Sequence, residues 1–140
     1  MKKLTYGILS TASIVARFVQ GVRDSRYGEV VAICSRDLNK AQEKANELKI
    51  EKAYGDYTQM LNDNDINVIY IATPNALHYP NALQAIRAGK HVVVEKPFAF
   101  TKAQAIHLFD EAQKHNVFIM EAQKIVFLPI TNHIKQIIQE

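Results

Sequence analysis

Apolar and amphipathic stretches alternate along the chain. Short runs of consecutive apolar residues, rich in Val and Ile, predict strands buried on both faces, at residues 6–9, 30–34, 53–54, 68–72, 92–94 and 117–120. Between them, apolar residues recur every three or four positions, which predicts helices at residues 14–22, 40–48, 57–61, 78–88, 102–115 and 132–139. The predicted fold is therefore α/β: a doubly wound, mostly parallel six-stranded sheet with helices on both faces.

Local signals mark the ends of several helices. Asn39 is expected to cap the second helix and Thr101 the fifth, because their side-chain oxygens can accept the first free amides. Gly89 is expected to end the fourth helix. In the fifth helix the spacing predicts an inward face that consists of Ala105, Leu108, Phe109 and Ala112.

Composition narrows the class of protein. The 140 residues are 48% hydrophobic and 22% charged, with a net charge of +3, which is typical of one globular domain and excludes a disordered chain. A single cysteine excludes a disulfide framework, and Cys34, inside an apolar run, is expected to be a small buried hydrophobe. No apolar run reaches the ~18–20 residues that span a bilayer, so we expect no membrane partner and a cytoplasmic location. The basic residues form no stripe, so no nucleic-acid partner is expected either.

The loop after the first strand contains Ser10, Thr11, Ala12, Ser13 and Ile14. In a doubly wound sheet this loop holds the pyrophosphate of a dinucleotide, with Gly at positions 10 and 12 and Gly or Ala at 15. The sequence has Ser, Ala and Val there. Small side chains still permit a tight turn, and hydroxyls can donate hydrogen bonds. A plain strand-to-helix turn with a serine cap is an equally open interpretation.

The loop after the second strand carries Ser35, Arg36 and Lys40. An NAD site needs a carboxylate here for the ribose 2′-hydroxyl, whereas a hydroxyl, a guanidinium and an ammonium suit a 2′-phosphate. The sequence therefore favours NADP, with NAD possible. The alternative is an exposed Arg and a helix-start Lys without a ligand, since Asp37 could pair with Arg36.

The loops after the fourth and fifth strands complete the same edge of the sheet. In the former, Asn75 can offer its amide to a sugar or carboxamide; the alternative is a helix cap with a surface His78. In the latter, Glu95 and Lys96 follow a buried strand directly. An amine at this place can exchange a proton with a ligand.

Together these segments resemble the Gfo/Idh/MocA oxidoreductases. The likeness covers nearly the whole chain and lies in residues 6–14 (YGILSTASI), 35–36 (SR), 53–57 (AYGDY), 72–78 (ATPNALH), 88–92 (AGKHV), 95–97 (EKP) and 121–122 (EA). It implies an NAD(P)-binding Rossmann domain over residues 1–140, from an enzyme that oxidises or reduces a sugar, polyol or related hydroxyl or carbonyl compound.

The resemblance also implies roles for individual residues. Residues 10–14 would hold the pyrophosphate, and Ser35, Arg36 and Lys40 the 2′-phosphate. The nicotinamide side would be lined by Ala72, Thr73, Pro74, Asn75, His78 and Glu95. Lys96 would be the catalytic residue that orients or protonates the reacting oxygen. No metal is implied.

Members of that family carry a second, α+β domain that supplies the substrate pocket and the oligomer interface, and we expect it to be absent from this chain, which alone should be inactive. The segment 121–129 also lacks the Trp and Arg that many relatives have before the Phe. We expect a homo-oligomer, with self-association through Ile130, Ile134, Ile137 and Ile138.

Two other functions remain open. A stand-alone nucleotide-binding module or sensor is favoured by the replaced glycines and disfavoured by Lys96, which a sensor does not need. A methyltransferase would need an acidic residue at the tip of the second strand, where Ser35 and Arg36 stand instead.

Overall fold

Six strands form one parallel sheet in a computed structural model, which describes residues 3–139. They are β1 (Leu4–Leu9), β2 (Gly28–Cys34), β3 (Lys52–Tyr54), β4 (Val68–Ile71), β5 (His91–Val94) and β6 (Ile119–Glu121). The strand order is β3-β2-β1-β4-β5-β6, and every neighbouring pair is parallel. The predicted doubly wound fold is confirmed.

Six helices connect or follow the strands. They are α1 (Ile14–Ser25), α2 (Leu38–Leu48), α3 (Tyr57–Leu61), α4 (His78–Arg87), α5 (Lys102–Lys114) and α6 (Pro129–Gln139). Short 3₁₀ turns at Asn75–Leu77 and Lys124–Phe127 precede α4 and α6. Helix α6 begins three residues earlier than predicted because proline is well suited to the first helical turn, where its missing N–H costs no hydrogen bond.

Two hydrophobic cores lie on opposite faces of the sheet. Helices α1 and α2 bury Val15, Val19 and Ala45 against one face, while α3, α4 and α5 cover the other. Successive strand residues alternate between the cores, because side chains along a strand point to opposite faces: Ile8 joins the first core and Leu9 the second. All four residues of β4 are buried, as its uninterrupted apolar sequence predicts.

Several predicted details are corrected by the structure. The cap of α2 is Asp37, whose carboxylate accepts from the amides of Asn39 and Lys40, so the prediction of Asn39 was wrong. Phe109 is 54% exposed and stacks on Phe98, because Leu108 and Ala112 already fill the inward side of α5. Thr101 caps α5 as predicted.

Strand β6 starts two residues later than predicted. Asn116 adopts a left-handed conformation with φ of 53°, and the Val117 amide donates to the Ala112 carbonyl at the end of α5. Residue 117 therefore belongs to the helix-ending turn. Gly89, with φ of 73°, likewise follows the end of α4 in a conformation that glycine adopts without steric cost.

At the edge where the parallel strands begin, Lys90 is buried. Its Nζ donates to the carbonyl oxygens of Asp63 and Ile66, each 2.8 Å away, and burial lowers the pKa of its ammonium. The side chain thus ties the turn before β5 to the segment before β4. Sequence patterning gave no sign of this contact, because lysine is rarely a buried residue.

We predict that Lys90→Met destabilises the fold by ~2 kcal/mol, because the buried carbonyl of Ile66 and the partly buried carbonyl of Asp63 lose their donor. The measurement is urea-induced unfolding followed by circular dichroism. Lys102→Met, at an exposed position on α5, is the matched control and should change stability by less than ~0.5 kcal/mol. Equal stability of both variants would contradict the structural role of Lys90.

Candidate functional site: the cleft between β1 and β4

The strand order reverses between β1 and β4, and the chain leaves these two strands toward opposite faces of the sheet. Such a reversal opens a crevice at the carboxyl ends of the strands. A cavity of about 240 Å³ lies there. Its lining residues are Leu9, Ser10, Thr11, Cys34, Ser35, Arg36, Tyr57, Thr73, Pro74, Leu77 and Asn81. The structure thus brings together predicted residues from the first, second and fourth loops.

The first loop presents backbone amides at the start of a helix. Ser10 Oγ accepts from the Ala12 amide at 2.9 Å, which fixes the turn. Ser13 precedes α1 but makes no side-chain capping bond. Within residues 3–139, the amides of Thr11 and Ser13 donate to no protein acceptor. Free amides beside the N-terminus of a twelve-residue helix fit an anionic group such as a pyrophosphate, whereas the plain serine-capped turn lacks its capping bond.

In the second loop, the basic side chains of Arg36 and Lys40 are exposed and can contact a ligand. The Asp37 carboxylate is engaged in capping α2, and among the described residues it forms no ion pair with Arg36. Arg36 and Lys40 are exposed, while Ser35 is held to β3 through its amide, 3.1 Å from the Tyr54 carbonyl oxygen. The structure therefore brings Ser35 and Arg36 to the cavity at the tip of β2, whereas Lys40 lies in the first turn of α2 and does not line it.

The base of the cavity is neutral. Burial, with a smaller contribution from the charge of Asp56, raises the pKa of the Cys34 thiol to about 11, and Cys34 is buried as predicted. Burial also raises the pKa of the Tyr57 phenol, whose hydroxyl donates to the Asn81 carbonyl. Tyr57, Leu77 and Asn81 also line the cavity and were not predicted from the sequence, although Tyr57 follows β3 at the same edge of the sheet.

The fourth loop is built around His78. Its ring is 1% exposed, and the two ring nitrogens lie 2.8 Å from the carbonyl oxygens of Thr73 and Pro97. The alternative of a surface histidine is therefore wrong. The ring nitrogens face the backbone and are not free for a ligand, while Pro74 and Asn75 are exposed beside the cavity. Asn81 Nδ2 donates to Thr73 Oγ1 and fixes that hydroxyl.

The fifth loop sets a carboxylate beside an amine. Glu95 Oε1 accepts from the Tyr70 hydroxyl at 2.8 Å, and Glu95 Oε2 lies 3.7 Å from Lys96 Nζ. Burial raises the pKa of the Tyr70 phenol, helped by its hydrogen bond to Glu95, so the phenol stays a donor. The ring of Phe18 stacks on Tyr70 with centroids 3.7 Å apart. The Lys96 side chain is 49% exposed.

A second cavity, of about 370 Å³, reaches Glu95 from the side of α1. It includes the predicted residue Ile14 together with Phe18, Tyr70 and Ala122. The predicted residues are therefore divided between two neighbouring spaces. Several of them line neither cavity: Ala12, Ser13, Lys40, Ala72, Asn75, His78 and Lys96.

Residues 3–139 show no sign of two other kinds of site. No helix in this range is long and apolar enough to cross a membrane. The same range contains no group of three or more His, Cys, Asp or Glu side chains arranged to hold a metal ion.

Comparison with known proteins supports the interpretation of this cleft as a dinucleotide-binding crevice. A family model described as an oxidoreductase family with an NAD-binding Rossmann fold matches residues 4–123. The chain belongs to this Gfo/Idh/MocA oxidoreductase family. The resemblance stated from the sequence is thereby confirmed.

Individual family members show the extent of the match. Trans-1,2-dihydrobenzene-1,2-diol dehydrogenase of Xenopus laevis is 37% identical over 96% of this chain and 42% of its own length. D-xylose 1-dehydrogenase (NADP(+)) of Hypocrea jecorina is 32% identical over 96% and 38%. A crystal structure of an NAD binding oxidoreductase from Klebsiella pneumoniae has a TM-score of 0.92 and 32% identity, and the match covers 99% of this chain and 39% of that one. The chain thus spans about two fifths of the length of these relatives.

We predict that Tyr70→Phe lowers stability by ~1 kcal/mol, because Glu95 Oε1 loses its hydrogen-bond donor while the stacking on Phe18 is kept. Guanidinium-induced unfolding measures the change. Tyr27→Phe, at an exposed position, is the control and should leave stability unchanged. A Tyr70→Phe variant as stable as the control would show that the hydroxyl–carboxylate contact contributes nothing.

Proposed function

We propose that this chain binds NADP(H) as the nucleotide-binding part of an oxidoreductase that acts on a sugar, polyol or related hydroxyl or carbonyl compound. The observation that carries the proposal is the cleft at the reversal of strand order, where free amides, two exposed cations and an amine occupy the tips of β1, β2 and β5. Family membership supports the oxidoreductase class.

The pyrophosphate would bind at the first loop. Backbone amides carry this contact, so a change of side chain at positions 10 and 12 leaves the donors in place. The Cβ atoms of Ser10 and Ala12 limit how closely a phosphate can approach, which glycine would not do. We therefore expect the pyrophosphate to bind more weakly here than at a glycine-rich loop.

The adenosine 2′-phosphate would bind at the tip of β2. Arg36 supplies a planar fork of donors and Lys40 a point charge, both suited to phosphate oxygens, and Ser35 adds a hydroxyl. The carboxylate of Asp37 is already occupied by two backbone amides, so it does not neutralise Arg36. The name of the D-xylose relative, which specifies NADP(+), agrees with this preference.

The nicotinamide and the substrate would meet beside Lys96. Ala72, Thr73, Pro74 and Asn75 would flank the nicotinamide, which supplies the hydride chemistry when it is bound. Lys96 would accept the proton that the substrate hydroxyl loses on oxidation, or return it in the reverse direction. Glu95, held by Tyr70, would stay beside the amine as a charge partner.

A second candidate function is a nucleotide-binding module without catalysis. Ser, Ala and Val at positions 10, 12 and 15 favour it, because they weaken the dinucleotide fingerprint. The exposed apolar face of α6 is compatible with either function. It consists of Ile130, Ile134, Ile137 and Ile138, and homo-oligomerisation through it remains a proposal, as does a cytoplasmic location.

We predict that Arg36→Ala weakens NADPH binding about tenfold, equivalent to ~1.4 kcal/mol for a lost charge-assisted contact. NADH binding should change less than about twofold, because NADH has no 2′-phosphate. Fluorescence titration of each nucleotide measures both effects. Arg26→Ala, beyond the C-terminal end of α1 at the opposite edge of the sheet, is the control. Equal losses for both nucleotides would refute the 2′-phosphate assignment, and no saturable signal up to ~1 mM NADPH would refute nucleotide binding itself.

We predict that Lys96→Met leaves NADPH affinity within about threefold, because the amine is expected to touch the reacting oxygen and not the nucleotide phosphates. In a protein that joins this chain to a substrate-binding region, kcat should fall ~100-fold, as is typical for loss of a proton-transfer group. Steady-state kinetics measures the effect, with Lys102→Met as control. Unchanged kcat would remove Lys96 from the mechanism.

A further inference from the structure

One peptide unit after Lys96 is held by side chains from two other elements. The Pro97 carbonyl oxygen lies 2.8 Å from Nδ1 of His78, at the start of α4. The amide of Phe98, which belongs to the same peptide unit, donates to Oε1 of Glu121, at the end of β6, over 2.8 Å. Within residues 3–139 this amide has no backbone acceptor. Glu121 therefore supplies its hydrogen bond, from 23 positions further along the chain.

Glutamate is a rare choice at such a place in a sheet, because strands favour β-branched and aromatic side chains. Pairing with β5 sets Glu121 opposite Val94. Its side chain is partly buried on the face of Ile119, whose core also receives the Phe98 ring. Among the described residues Glu121 forms no ion pair. Such a carboxylate is unfavourable unless N–H groups donate to it, and Gln123 Nε2 supplies the second donor, 2.8 Å from Oε2.

A different role for this charge is protection of a sheet edge. Strand β6 is the outermost strand of the described sheet, and a charged side chain on such a strand hinders pairing with another chain. That role requires a charge at position 121, but it does not require the carboxylate to reach the Phe98 amide. The contact seen in the structure requires reach and an acceptor oxygen. Charge and reach can therefore be tested separately.

The place of Lys96 depends on its backbone. Its side chain is 49% exposed, and its ion pair with Glu95 spans 3.7 Å, so its own contacts hold it weakly. On one side of Lys96, the Glu95 amide donates to the Ile71 carbonyl of β4 at 2.9 Å. On the other side stands the peptide unit between Pro97 and Phe98. Lys96 thus lies between two anchored backbone groups.

Packing of the Phe98 ring does not replace the hydrogen bond to Glu121. The ring stacks on Phe109 with centroids 5.3 Å apart, and apolar burial of this kind is not directional. A hydrogen bond is directional and weakens steeply when its angle is distorted. The ring therefore limits where Phe98 lies, whereas Glu121 and His78 limit how the peptide unit before it can rotate.

We propose that Glu121 is a positioning residue that, together with His78, fixes the Pro97–Phe98 peptide unit and thereby the backbone from which the Lys96 side chain extends. The fixing of the loop stands on geometry alone. Its use in proton transfer rests on the function proposed above. Glu121 lines neither cavity, so it acts through Lys96 and is not a catalytic residue.

Two variants separate reach from charge. Glu121→Gln loses the charge and keeps a side-chain oxygen at the same reach. Glu121→Asp keeps the charge but is shorter by one methylene, so its oxygens no longer reach the Phe98 amide. Gln123→Ala is the matched control, because it removes the donor to Oε2 and leaves the contact with Phe98 in place.

Nitrogen-15 relaxation of the 140-residue chain without nucleotide measures the backbone order at Lys96. The order parameter should be about 0.85 in the wild type, Glu121→Gln and Gln123→Ala, and should fall toward about 0.6 in Glu121→Asp. An effect of Glu121→Gln without one of Glu121→Asp would assign the edge role and overturn the proposal. A lower unfolding temperature of Glu121→Asp with wild-type order at Lys96 would show simple structural support, and it would overturn the proposal too.

Amide hydrogen exchange in the wild-type chain tests the contact without any variant. The neighbouring Ala99 amide donates to no acceptor within residues 3–139 and serves as reference. The Phe98 amide should exchange about tenfold more slowly than the Ala99 amide after correction for intrinsic rates. Equal corrected rates would overturn the proposal. If Glu121→Asp does not fold, Glu121→Ala replaces it in the relaxation measurement.

Kinetics connects the loop to the proposed function. In a protein that joins this chain to a substrate-binding region, Glu121→Asp should lower kcat about tenfold through misplacement of Lys96, with KM for the nucleotide within about twofold, and Glu121→Gln should restore kcat. If Lys96→Met leaves kcat unchanged while order at Lys96 depends on Glu121, the catalytic role within the proposed function fails and the loop contact stands. If order at Lys96 does not depend on Glu121 in a chain that binds NADPH, this inference alone fails.

Discussion

The parallel pairing of β1 with β4 is the constraint on which the rest of the structure depends. Tyr6 to Leu9 pair in register with Val68 to Ile71, although 58 or more residues separate the two strands. Because α1 and α4 then leave toward opposite faces, no helix covers the line where β1 and β4 end. The cleft is the direct consequence of this topology, and it needs no particular side chain to exist.

The sequence predicts those parts of the fold that depend on local pattern. The run at 68–72 is apolar at every position because helices cover both faces of β4, so its burial was readable without any knowledge of its partners. The cap of α2 could not be predicted from the sequence, because Asp37 and Asn39 are both good capping residues and lie two positions apart. The orientation of Phe109 was predicted wrongly for a similar reason. Helical spacing predicts which side of a helix faces the core only to within one residue, and here Phe109 stacks on Phe98 from another loop.

The same distinction between local pattern and long-range contact applies to the candidate site. Its loops could be predicted, because each follows a recognisable strand and the ends of parallel strands share one edge. Their hydrogen bonds could not, since the contacts of His78 with Pro97 and of Tyr70 with Glu95 join residues 19 and 25 positions apart. A lone His or Tyr in sequence carries no mark of its partner. The sequence therefore located the cleft and left unknown what holds its loops together.

Within this cleft, the first loop presents backbone groups and the second loop presents side-chain groups. The first loop offers amides, whose donors survive the replacement of glycine, so what the replaced side chains alter is the distance of closest approach. The second loop offers side-chain charges on an exposed surface, where salt screens the interaction. If the chain binds a nucleotide as proposed above, shape would govern its recognition at the first loop and charge would govern its recognition at the second. Under the proposed function, selectivity between the two dinucleotides would reside in the exposed side chains of the second loop, and it would be the property most easily changed by a single substitution.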